Sequence, residues 1–308
     1  MTEEIFDVLV IGGGPAGYTA ALYAVRAGLS CLVLERMAAG GQMCETMHID
    51  NYPGFTETID GFTLGTAMQQ GAERFGAKTV YDEVTAVKLD TPVKEITTAG
   101  GGYFAHTVIV ATGATHRHLG LAREAELAGR GVGYCATCDG AFYRGKSVAV
   151  VGGGNSAVAD ALYLAGICEK VTLIHRRDTL RASRIHEAPL QNAKNIEIRY
   201  DSEVTALLGD GHLTGVTVRN KKTGETEDVA LDGLFISIGR TPVTALFQDC
   251  LTLDASGYIV AGEDTVTSLS GIFAAGDVRT KPLRQIVTAT ADGAVAAEAA
   301  AAYLVGKQ

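Results

Sequence analysis

A glycine-rich segment near the start of the sequence recurs 140 residues later, and this duplication constrains the fold more than any other feature. The first copy joins the nearly continuous apolar run at residues 7–11 to the turn at residues 12–17. The second joins residues 147–151 to the turn at residues 152–157, and an Ala-Leu-Tyr helix segment follows each turn at the same offset. An apolar run before such a turn indicates a strand buried on both faces of a parallel sheet. The pattern therefore predicts an α/β protein with two nucleotide-binding βαβ units.

The first turn carries a complete dinucleotide fingerprint. Gly12 allows the tight turn, Gly14 lets the backbone approach a pyrophosphate, and Gly17 permits close packing of helix on strand. Glu35 follows the next strand, residues 31–34, at the position where an acid binds ribose hydroxyls. Taken alone, a Gly-x-Gly-x-x-Gly is also compatible with a simple packing turn. The order of strand, turn, helix, strand and acid favours a nucleotide site.

The two copies differ where the second strand of each unit ends. The first copy has Glu35 there, whereas the second has His175 followed by Arg176 and Arg177, with Arg181 further on. An acid repels a 2′-phosphate, while an arginine binds that phosphate with two parallel hydrogen bonds. The second unit is therefore predicted to prefer NADP(H), and the first a ligand without this phosphate. The alternative is a solvated basic face, which fits poorly with a formal net charge of -9.

Two cysteines separated by two residues, Cys135 and Cys138, are followed at once by Asp139. This spacing lets a disulfide close easily and commonly lowers the pKa of one thiol, so that the pair exchanges with other disulfides. A Cys-x-x-Cys is also half a zinc site, to which His116 and His118 could contribute. The other cysteines are scattered singly, at Cys31, Cys44, Cys168 and Cys250. We therefore expect a redox dithiol and no metal.

Together the three motifs indicate a reaction. NADPH donates a hydride, and a disulfide takes up two electrons. A flavin can accept the hydride and supply the two electrons. The sequence thus predicts a flavoenzyme that uses FAD and NADPH. A flavin-bound redox sensor or scaffold without turnover would not need both an arginine-bearing nucleotide unit and a dithiol, and a ferredoxin or quinone reductase would lack the cysteine pair.

Length and charge limit the classes of function. A chain of 308 residues is long enough for two domains, and its net charge of -9 argues against a general surface for nucleic acid or anionic membranes. No uninterrupted apolar stretch is long enough to span a bilayer, and residues 1–4 are acidic where a signal peptide would be basic. We expect a cytoplasmic protein with no nucleic-acid and no membrane partner.

Apolar runs beyond these motifs predict further strands and a final helix. Strands are expected at residues 103–111, 195–200, 213–219 and 229–236, and a polar loop is expected at residues 220–228. The alanine-rich residues 284–304 have a helical pattern.

In their order and spacing, the motifs resemble those of the low-molecular-weight bacterial thioredoxin reductases. The matching segments are residues 12–17, 111–113, 135–139, 152–157, 175–177 and 276–277. The resemblance covers essentially the whole chain. Its specificity comes from the dithiol, which lies inside the NADP unit; in the larger disulfide reductases the redox cysteines lie near the N-terminus.

The resemblance implies two Rossmann-like nucleotide-binding domains, with the NADPH domain inserted into the FAD domain. The FAD domain would comprise residues 1–116 and 246–308, and the NADPH domain residues 117–245, which include the dithiol. It also implies a homodimer and thioredoxin as the protein disulfide substrate.

The resemblance further implies a role for each matching residue. FAD would be bound by Gly12, Gly14, Pro15, Ala16, Gly17, Glu35, Gly41, Gln42, Asn51, Ala111, Thr112, Gly113, Gly276, Asp277, Arg284, Gln285 and Ile286. NADPH would be bound by Gly152, Gly154, Asn155, Ser156, Ala157, His175, Arg176, Arg177, Arg181 and Arg240. Cys138 resembles the sulfur that faces the flavin, Cys135 the sulfur that attacks thioredoxin, and Asp139 the acid/base that manages their protons.

Two positions depart from the family pattern. Ile286 takes the third place of an Arg-Gln-Ala signature, where the family uses the backbone. Ala141 and Phe142 stand where some members carry two aromatic residues that help to receive the partner. The alternative is an NADPH-dependent flavoprotein reductase of a peroxiredoxin or another dithiol carrier, whose members usually carry an extra N-terminal domain.

Overall fold

The computed structural model describes residues 4–46 and 49–306. Its strands, in chain order, are β1 (Ile5–Ile11), β2 (Cys31–Glu35), β3 (Lys78–Tyr81), β4 (Val84–Lys88), β5 (Lys94–Thr98), β6 (Gly102–Val110), β7 (Ala114–His116), β8 (Val132–Gly133), β9 (Ser147–Gly152), β10 (Lys170–Ile174), β11 (Ile196–Arg199), β12 (Ser202–Leu208), β13 (Gly215–Asn220), β14 (Thr226–Ala230), β15 (Gly233–Ser237), β16 (Arg240–Pro242) and β17 (Ile272–Ala274). Its α-helices are α1 (Pro15–Arg26), α2 (Gly61–Glu73), α3 (Glu124–Leu127), α4 (Ala136–Asp139), α5 (Asn155–Ala165), α6 (Arg184–Glu187) and α7 (Ile286–Val305).

The chain divides into two compact units. Unit 1 combines Met1–Thr115 with Thr241–Gln308, and unit 2 is His116–Arg240. The sequence had suggested boundaries at 116/117 and 245/246. The chain crosses between the units at residues 115/116 and 240/241. The segments at these two crossings, β7 and β16, pair as a small two-stranded sheet.

Unit 1 is built on a mainly parallel sheet with the order β3-β2-β1-β6-β5-β4, in which β17 also pairs with β6. Alternate residues of its strands pack into two separate hydrophobic cores, one on each face of the sheet. Val8 and Val10 pack with the alanines of α1 and α7, whereas Leu9 and Ile11 pack on the opposite face with residues such as Phe247. Both faces are therefore buried, which is why the first strand reads as a continuous apolar run.

Unit 2 repeats this plan with a parallel sheet in the order β11-β10-β9-β15-β8. Val148 and Val150 contact the apolar face of α5, and Ala149 and Val151 face the other way. The second face is covered by an antiparallel sheet of β12, β13 and β14. The duplicated βαβ pattern is thus observed in both units, at the offset found in the sequence.

One sequence-based prediction is wrong. Residues 229–236 were expected to form a single strand after a loop at 220–228, but they contribute to β14 and β15, which belong to different sheets. Leu231 and Asp232 separate the two strands, and the Asp232 carboxylate accepts a hydrogen bond of 3.0 Å from the Ser147 N–H. The apolar run hides this break because Leu231 is itself buried. β12, which alternates in burial, was not predicted at all.

A buried cluster of charges holds the last part of unit 1 together. Asp292 of α7 accepts hydrogen bonds from Arg279 at 2.8 and 2.7 Å, from Lys281 at 2.7 Å and from the Gly276 N–H at 2.8 Å. Arg279 is only 1% exposed. Burial alone would raise the pKa of Asp292, but the hydrogen bonds from Arg279 and Lys281 outweigh it and hold the pKa below its usual value. The carboxylate therefore fixes the turn at Gly276 to α7.

We predict that Asp292→Asn lowers the free energy of unfolding by about 3–5 kcal/mol, because it leaves the buried Arg279 guanidinium with only the exposed Glu263 carboxylate, 3.7 Å away. Urea unfolding of the two proteins at pH 7 measures this difference. The matched control is Glu298→Gln on the exposed face of the same helix, which should change stability by no more than about 0.5 kcal/mol. Equal losses in the two variants would contradict the assignment.

The same carboxylate should contribute to acid sensitivity. Its folded-state pKa is depressed, so the stability it provides is complete above its unfolded-state pKa of about 3.9 and is lost as the pH falls through the lower folded-state value. The stability difference between wild type and Asp292→Asn should accordingly shrink below about pH 4.

Candidate active site

The first glycine-rich turn lies at the carboxyl end of β1 and leads into α1. A side chain on Gly17 would overlap the carbonyl oxygen of Gly12, and Gly12 has a left-handed backbone with φ of 107°. At Gly14 the nearest atom to an added Cβ is the Gly40 carbonyl oxygen, 4.0 Å away. The turn is therefore closed at Gly12 and Gly17, where no side chain fits, but open at Gly14, where space is left beside the backbone. At this opening the backbone N–H groups that begin α1 can receive an anion.

Glu35 ends β2 beside this turn. Its Oε2 accepts a hydrogen bond of 2.6 Å from the Gly13 N–H, and its Oε1 accepts one of 3.1 Å from the Met37 N–H. The residue is half-buried. Because each carboxylate oxygen has more than one lone pair, the side chain keeps capacity to accept from a ligand hydroxyl.

The loop that begins at Gly40 packs against the first turn. The Gly40 N–H donates to the Gly13 carbonyl oxygen at 2.7 Å, and a Cβ added to Gly41 would lie 3.3 Å from the Gly14 Cα. Gly41 and Gln42 are both exposed. These two residues therefore border the opening at Gly14.

A hydrogen bond between Asn51 and Gln285 joins segments that lie 234 residues apart in the sequence. Asn51 Nδ2 donates to Gln285 Oε1 at 3.1 Å. Gln285 also caps α7, where its side chain accepts from the Thr288 N–H. The next residue, Ile286, packs against the small apolar cluster around Leu64. Residues expected to bind the same ligand are thus brought together.

Arg284 lies over the ring of Tyr258, with its guanidinium carbon 4.0 Å from the ring centre. Its Nη2 donates to the Arg279 carbonyl oxygen at 3.3 Å, and its Nε lies 3.5 Å from the Asp277 carbonyl oxygen. Stacking on an aromatic face holds a planar guanidinium in one orientation. Arg284 is therefore tied to the backbone of the turn that contains Asp277.

Three strand ends meet at one edge of the unit 1 sheet. Because β1, β6 and β17 are parallel, Gly12, Ala111 and Gly276 all follow their carboxyl ends. Thr112 is half-buried, and Gly113 has a left-handed backbone with φ of 71°. Every residue that the sequence predicts to bind FAD lies in unit 1.

The second glycine-rich turn follows β9 in unit 2 and leads into α5. A side chain on Gly152 would collide with the Ser237 carbonyl oxygen, and one on Gly153 would collide with the ring of His175. Among the described residues, nothing lies within 4 Å of a Cβ added to Gly154. The turn therefore repeats the closed and open positions of the first.

The start of α5 holds the loop that carries the arginines. Asn155 Oδ1 accepts a hydrogen bond of 2.8 Å from the Ser183 N–H, and the Gly153 carbonyl oxygen accepts one of 2.6 Å from the Arg181 N–H. Of the next two residues, Ser156 is exposed and Ala157 is buried. The loop is thus fixed to the turn by its backbone, which leaves its side chains free to face a ligand.

His175 lies beneath the turn, with only 4% of its surface exposed. Its Nε2 is 2.9 Å from the Thr179 carbonyl oxygen, and its ring occupies the space where a Gly153 side chain would be. Burial lowers the pKa of the imidazole, so the ring is neutral and its Nε2 can donate to that carbonyl. The structure therefore gives His175 a supporting position under the backbone.

Arg176, Arg177 and Arg181 are exposed on the loop after β10. The part of the chain that the structure describes supplies none of the three with an ion-pair partner. Arg240, the last residue of unit 2, is half-buried. Three exposed arginines on one loop form a positive site suited to a phosphate group.

Cys135 and Cys138 form a disulfide, with their Cα atoms 5.3 Å apart. Both residues are half-buried, and the Cys135 carbonyl oxygen accepts from the N–H groups of Cys138 and Asp139 at 3.2 and 3.1 Å. The pair follows β8, which lies beside β15, and β15 lies beside β9. These strands are parallel, so the disulfide and the turn at Gly152 lie at the same edge of one sheet.

Asp139 is half-buried directly after the dithiol. A Cβ added to Gly133, at the end of β8, would lie 3.3 Å from the Asp139 Oδ2. Burial and then the negative charge of Asp139 raise the pKa of the nearby Tyr143. A carboxylate next to a redox-active sulfur is suited to take up and return protons.

The sequence did not reveal two buried carboxylates that hold neighbouring segments in place. Asp292 holds the turn at Gly276, and Glu124, only 4% exposed, binds the hydroxyl of Tyr134. A signal for Asp292 existed, because it shares the buried face of α7 with Ala289 and Ala296 at helical spacing. We find no comparable signal for Glu124, whose helix has a single turn.

Two further features concern metals and membranes. Among residues 4–46 and 49–306, no group of three or more His, Cys, Asp and Glu side chains is arranged to hold a metal ion. Within the same residues, no helix has both the length and the apolar character needed to cross a bilayer.

Comparison with known proteins identifies the family. The profile of the pyridine nucleotide-disulphide oxidoreductases matches residues 6–293. The chain belongs to this family. Proteins named thioredoxin reductase from Treponema pallidum and Listeria monocytogenes are each 46% identical to it over 303 residues, covering 98% of this chain and 98% and 95% of theirs. The crystal structure of thioredoxin reductase from Streptococcus pyogenes superposes with a TM-score of 0.92 at 43% identity, covering 99% of this chain and 100% of that one.

These comparisons confirm the resemblance found in the sequence and the fold class of two Rossmann-like units. They also confirm that the chain is an oxidoreductase of the kind that couples a pyridine nucleotide to a disulfide.

The turn in unit 2 provides a test of its closed and open positions. We predict that Gly153→Ala destabilises the protein by about 1–3 kcal/mol, because the new methyl group displaces the buried ring of His175. Gly154→Ala should change stability by no more than about 0.5 kcal/mol, since its Cβ meets open space. Thermal unfolding of the two variants measures the difference, and equal effects would show that His175 does not fill the space beneath Gly153.

Proposed function

We propose that the protein acts as a thioredoxin-disulfide reductase, which transfers electrons from NADPH through FAD to the Cys135–Cys138 disulfide and on to oxidised thioredoxin. One observation carries the proposal: the disulfide lies at the same sheet edge as the glycine-rich turn at Gly152 and the exposed arginines that follow β10. The relatives and the solved structure named thioredoxin reductase support it.

Unit 1 fits FAD. The opening at Gly14 and the N–H groups that begin α1 suit the pyrophosphate, and Glu35 suits the ribose hydroxyls. Gly41 and Gln42 border this opening, and the remaining predicted residues surround the strand ends and the start of α7. When bound, FAD accepts a hydride from NADPH and delivers two electrons to a disulfide.

Unit 2 fits NADPH. The opening at Gly154 and the start of α5 suit the pyrophosphate, and Arg176 and Arg177 suit the 2′-phosphate. His175 acts beneath the turn, where its ring fixes the backbone of Gly153.

The reduced dithiol acts on thioredoxin by thiol–disulfide exchange. The Cys135 thiolate attacks one sulfur of the substrate disulfide, and the other sulfur leaves as a thiolate. Cys138 then attacks the Cys135 sulfur, re-forms the Cys135–Cys138 bond and releases the second substrate thiolate. Two electrons pass from the dithiol to the substrate, and Asp139 is placed to hold and return the protons that accompany them.

We assign residues 1–116 and 246–308 to an FAD domain and residues 117–245 to an NADPH domain. The separation of the two predicted residue sets between unit 1 and unit 2 supports this assignment. By the family resemblance, we further propose a homodimer in the cytoplasm that binds neither nucleic acid nor membrane.

Phe142, four residues after Cys138, has an apolar side chain that is 45% exposed and stands where the family pattern has an aromatic residue that helps to receive the partner. Ala141, also exposed, replaces the other aromatic residue of the family pattern. The alternative substrate is a peroxiredoxin or another dithiol carrier. Side-by-side assays with thioredoxin and with such a carrier distinguish the two.

The first test of the proposed function asks whether the dithiol is needed for the reduction of thioredoxin but not for the transfer of electrons from NADPH to the flavin. Cys135→Ser and Cys138→Ser should each lose NADPH-dependent reduction of thioredoxin, because exchange requires both sulfurs. Both should retain NADPH-dependent reduction of ferricyanide, which does not need a dithiol. Cys250→Ser, a half-buried cysteine of unit 1, is the control and should keep both activities. Normal thioredoxin turnover in either single variant would exclude the dithiol from the reaction.

The second test concerns the choice of nucleotide. Replacing Arg176 and Arg177 together by Ala should raise KM for NADPH by about 10- to 100-fold, because charged hydrogen bonds to the 2′-phosphate are lost. KM for NADH should change by no more than about two-fold. The control is Arg144→Ala, an exposed arginine before β9 and hence at the opposite sheet edge. Equal losses for NADPH and NADH would refute the assignment of the 2′-phosphate.

A further inference from the structure

Glu124 is a buried carboxylate that binds the segment through which the chain enters unit 2. It is 4% exposed and lies on the short helix α3. Its two oxygens accept hydrogen bonds from the N–H groups of Leu119 at 3.1 Å, Gly120 at 2.8 Å and Leu121 at 3.2 Å. Together these bonds fix the turn that follows the first crossing between the units.

The same carboxylate also binds Tyr134, ten residues further along the chain. The Tyr134 hydroxyl donates to Glu124 Oε1 at 2.8 Å. His118 Nδ1 lies 2.9 Å from that hydroxyl and 3.2 Å from Glu124 Oε1. The Tyr134 ring is stacked on His116, with centroids 5.1 Å apart, and meets His118 edge-on at 5.2 Å. The tyrosine is therefore held at its hydroxyl and on two sides of its ring.

Tyr134 is the residue before Cys135, so its anchoring fixes the backbone that carries one sulfur of the disulfide. A carboxylate that only capped the turn at residues 119–121 would need no bond to Tyr134. Burial by itself raises the pKa of Glu124, yet the hydrogen bonds from Tyr134 and the backbone outweigh it and hold that pKa below its usual value. The group is therefore a charged acceptor, which forms stronger hydrogen bonds than a neutral one.

We propose that Glu124 is a positioning residue for the redox dithiol and acts through Tyr134. The inference deepens the proposed function, since it concerns the same cysteines, but it depends only on their ability to open and close. Closure by oxidised glutathione forms the Cys135–Cys138 bond and breaks the glutathione disulfide. Two electrons and the two thiol protons of the protein pass to two glutathione thiols. Closure is favoured when the sulfurs are held near each other, and a loosened anchor lowers their effective concentration.

The experiment measures this equilibrium in three variants of the full chain. Glu124→Gln keeps the shape but turns one acceptor oxygen into a donor, and Tyr134→Phe removes only the hydroxyl. Glu126→Gln is the matched control, because Glu126 lies on the same helix, is half exposed and pairs with Arg123 instead. Each protein is equilibrated with mixtures of reduced and oxidised glutathione and quenched with an alkylating agent. Mass spectrometry of the peptide with Cys135 and Cys138 gives the fraction closed.

Glu124→Gln and Tyr134→Phe should lower the equilibrium constant for closure by about 3- to 30-fold, and Glu126→Gln should leave it unchanged. The double variant should lose less than the product of the two single effects, because both act through one contact. A purely structural role would lower the melting temperature and leave the closure constant of the folded protein unaltered.

The proposal is overturned if Tyr134→Phe, which keeps every backbone contact of Glu124, closes its disulfide as wild type does. This outcome decides the matter even where Glu124→Gln does not fold. The measurement uses neither NADPH nor thioredoxin. Failure of the positioning role is therefore distinguishable from failure of the proposed function.

Discussion

Parallel pairing of strands brings the glycine-rich turns and the disulfide of this protein to the edges of its two sheets. In a parallel sheet the carboxyl ends of neighbouring strands share one edge, and the turns that follow them meet there. Gly12 and Gly276 are far apart in sequence, yet both follow strands that flank β6 in unit 1. The same rule brings Cys135 and Gly152 to one edge of the unit 2 sheet, with β15 between their strands. Neighbouring strands lie about 4.8 Å apart, so the strands that carry these two groups are about 10 Å apart.

Turns at such an edge expose backbone groups and need support from outside the sheet. In unit 1 a buried carboxylate supports the turn at Gly276, and in unit 2 a buried carboxylate holds the turn at residues 119–121 and the residue before the disulfide. Asp292 binds the Gly276 N–H together with two cations, and Glu124 binds three backbone N–H groups together with Tyr134. Burial of a carboxylate costs several kcal/mol, and only several simultaneous hydrogen bonds offset that cost. Few alternative arrangements satisfy so many donors at once, so each carboxylate specifies one position of its turn.

The sequence predicts those parts of the structure whose cause is local. The apolar run before each glycine-rich turn, the helix after it and the dithiol at Cys135 can all be found because strand, turn and helix each leave a short-range pattern. The break at Leu231 is hidden, since a buried residue in a turn looks like one in a strand. The role of Glu124 is hidden for a different reason. Its hydrogen-bond partners lie only three to ten residues away, but an acid on a one-turn helix gives no sign of whether it is buried.

The two units differ in the side chain that packs against the second glycine of the turn. This difference explains why Arg176 and Arg177, and not His175, are available to a ligand. Gly13 and Gly153 occupy equivalent positions, and in each unit the residue after the apolar part of the second strand lies against that glycine. In unit 1 this residue is Glu35, which binds the Gly13 N–H. In unit 2 it is His175, whose buried ring fills the space beneath Gly153 and leaves the next two positions exposed. The same fold therefore supports two nucleotide preferences. In unit 1 the residue that contacts the glycine carries a negative charge, which repels a 2′-phosphate. In unit 2 that residue is neutral, and the arginines that follow it bind the 2′-phosphate.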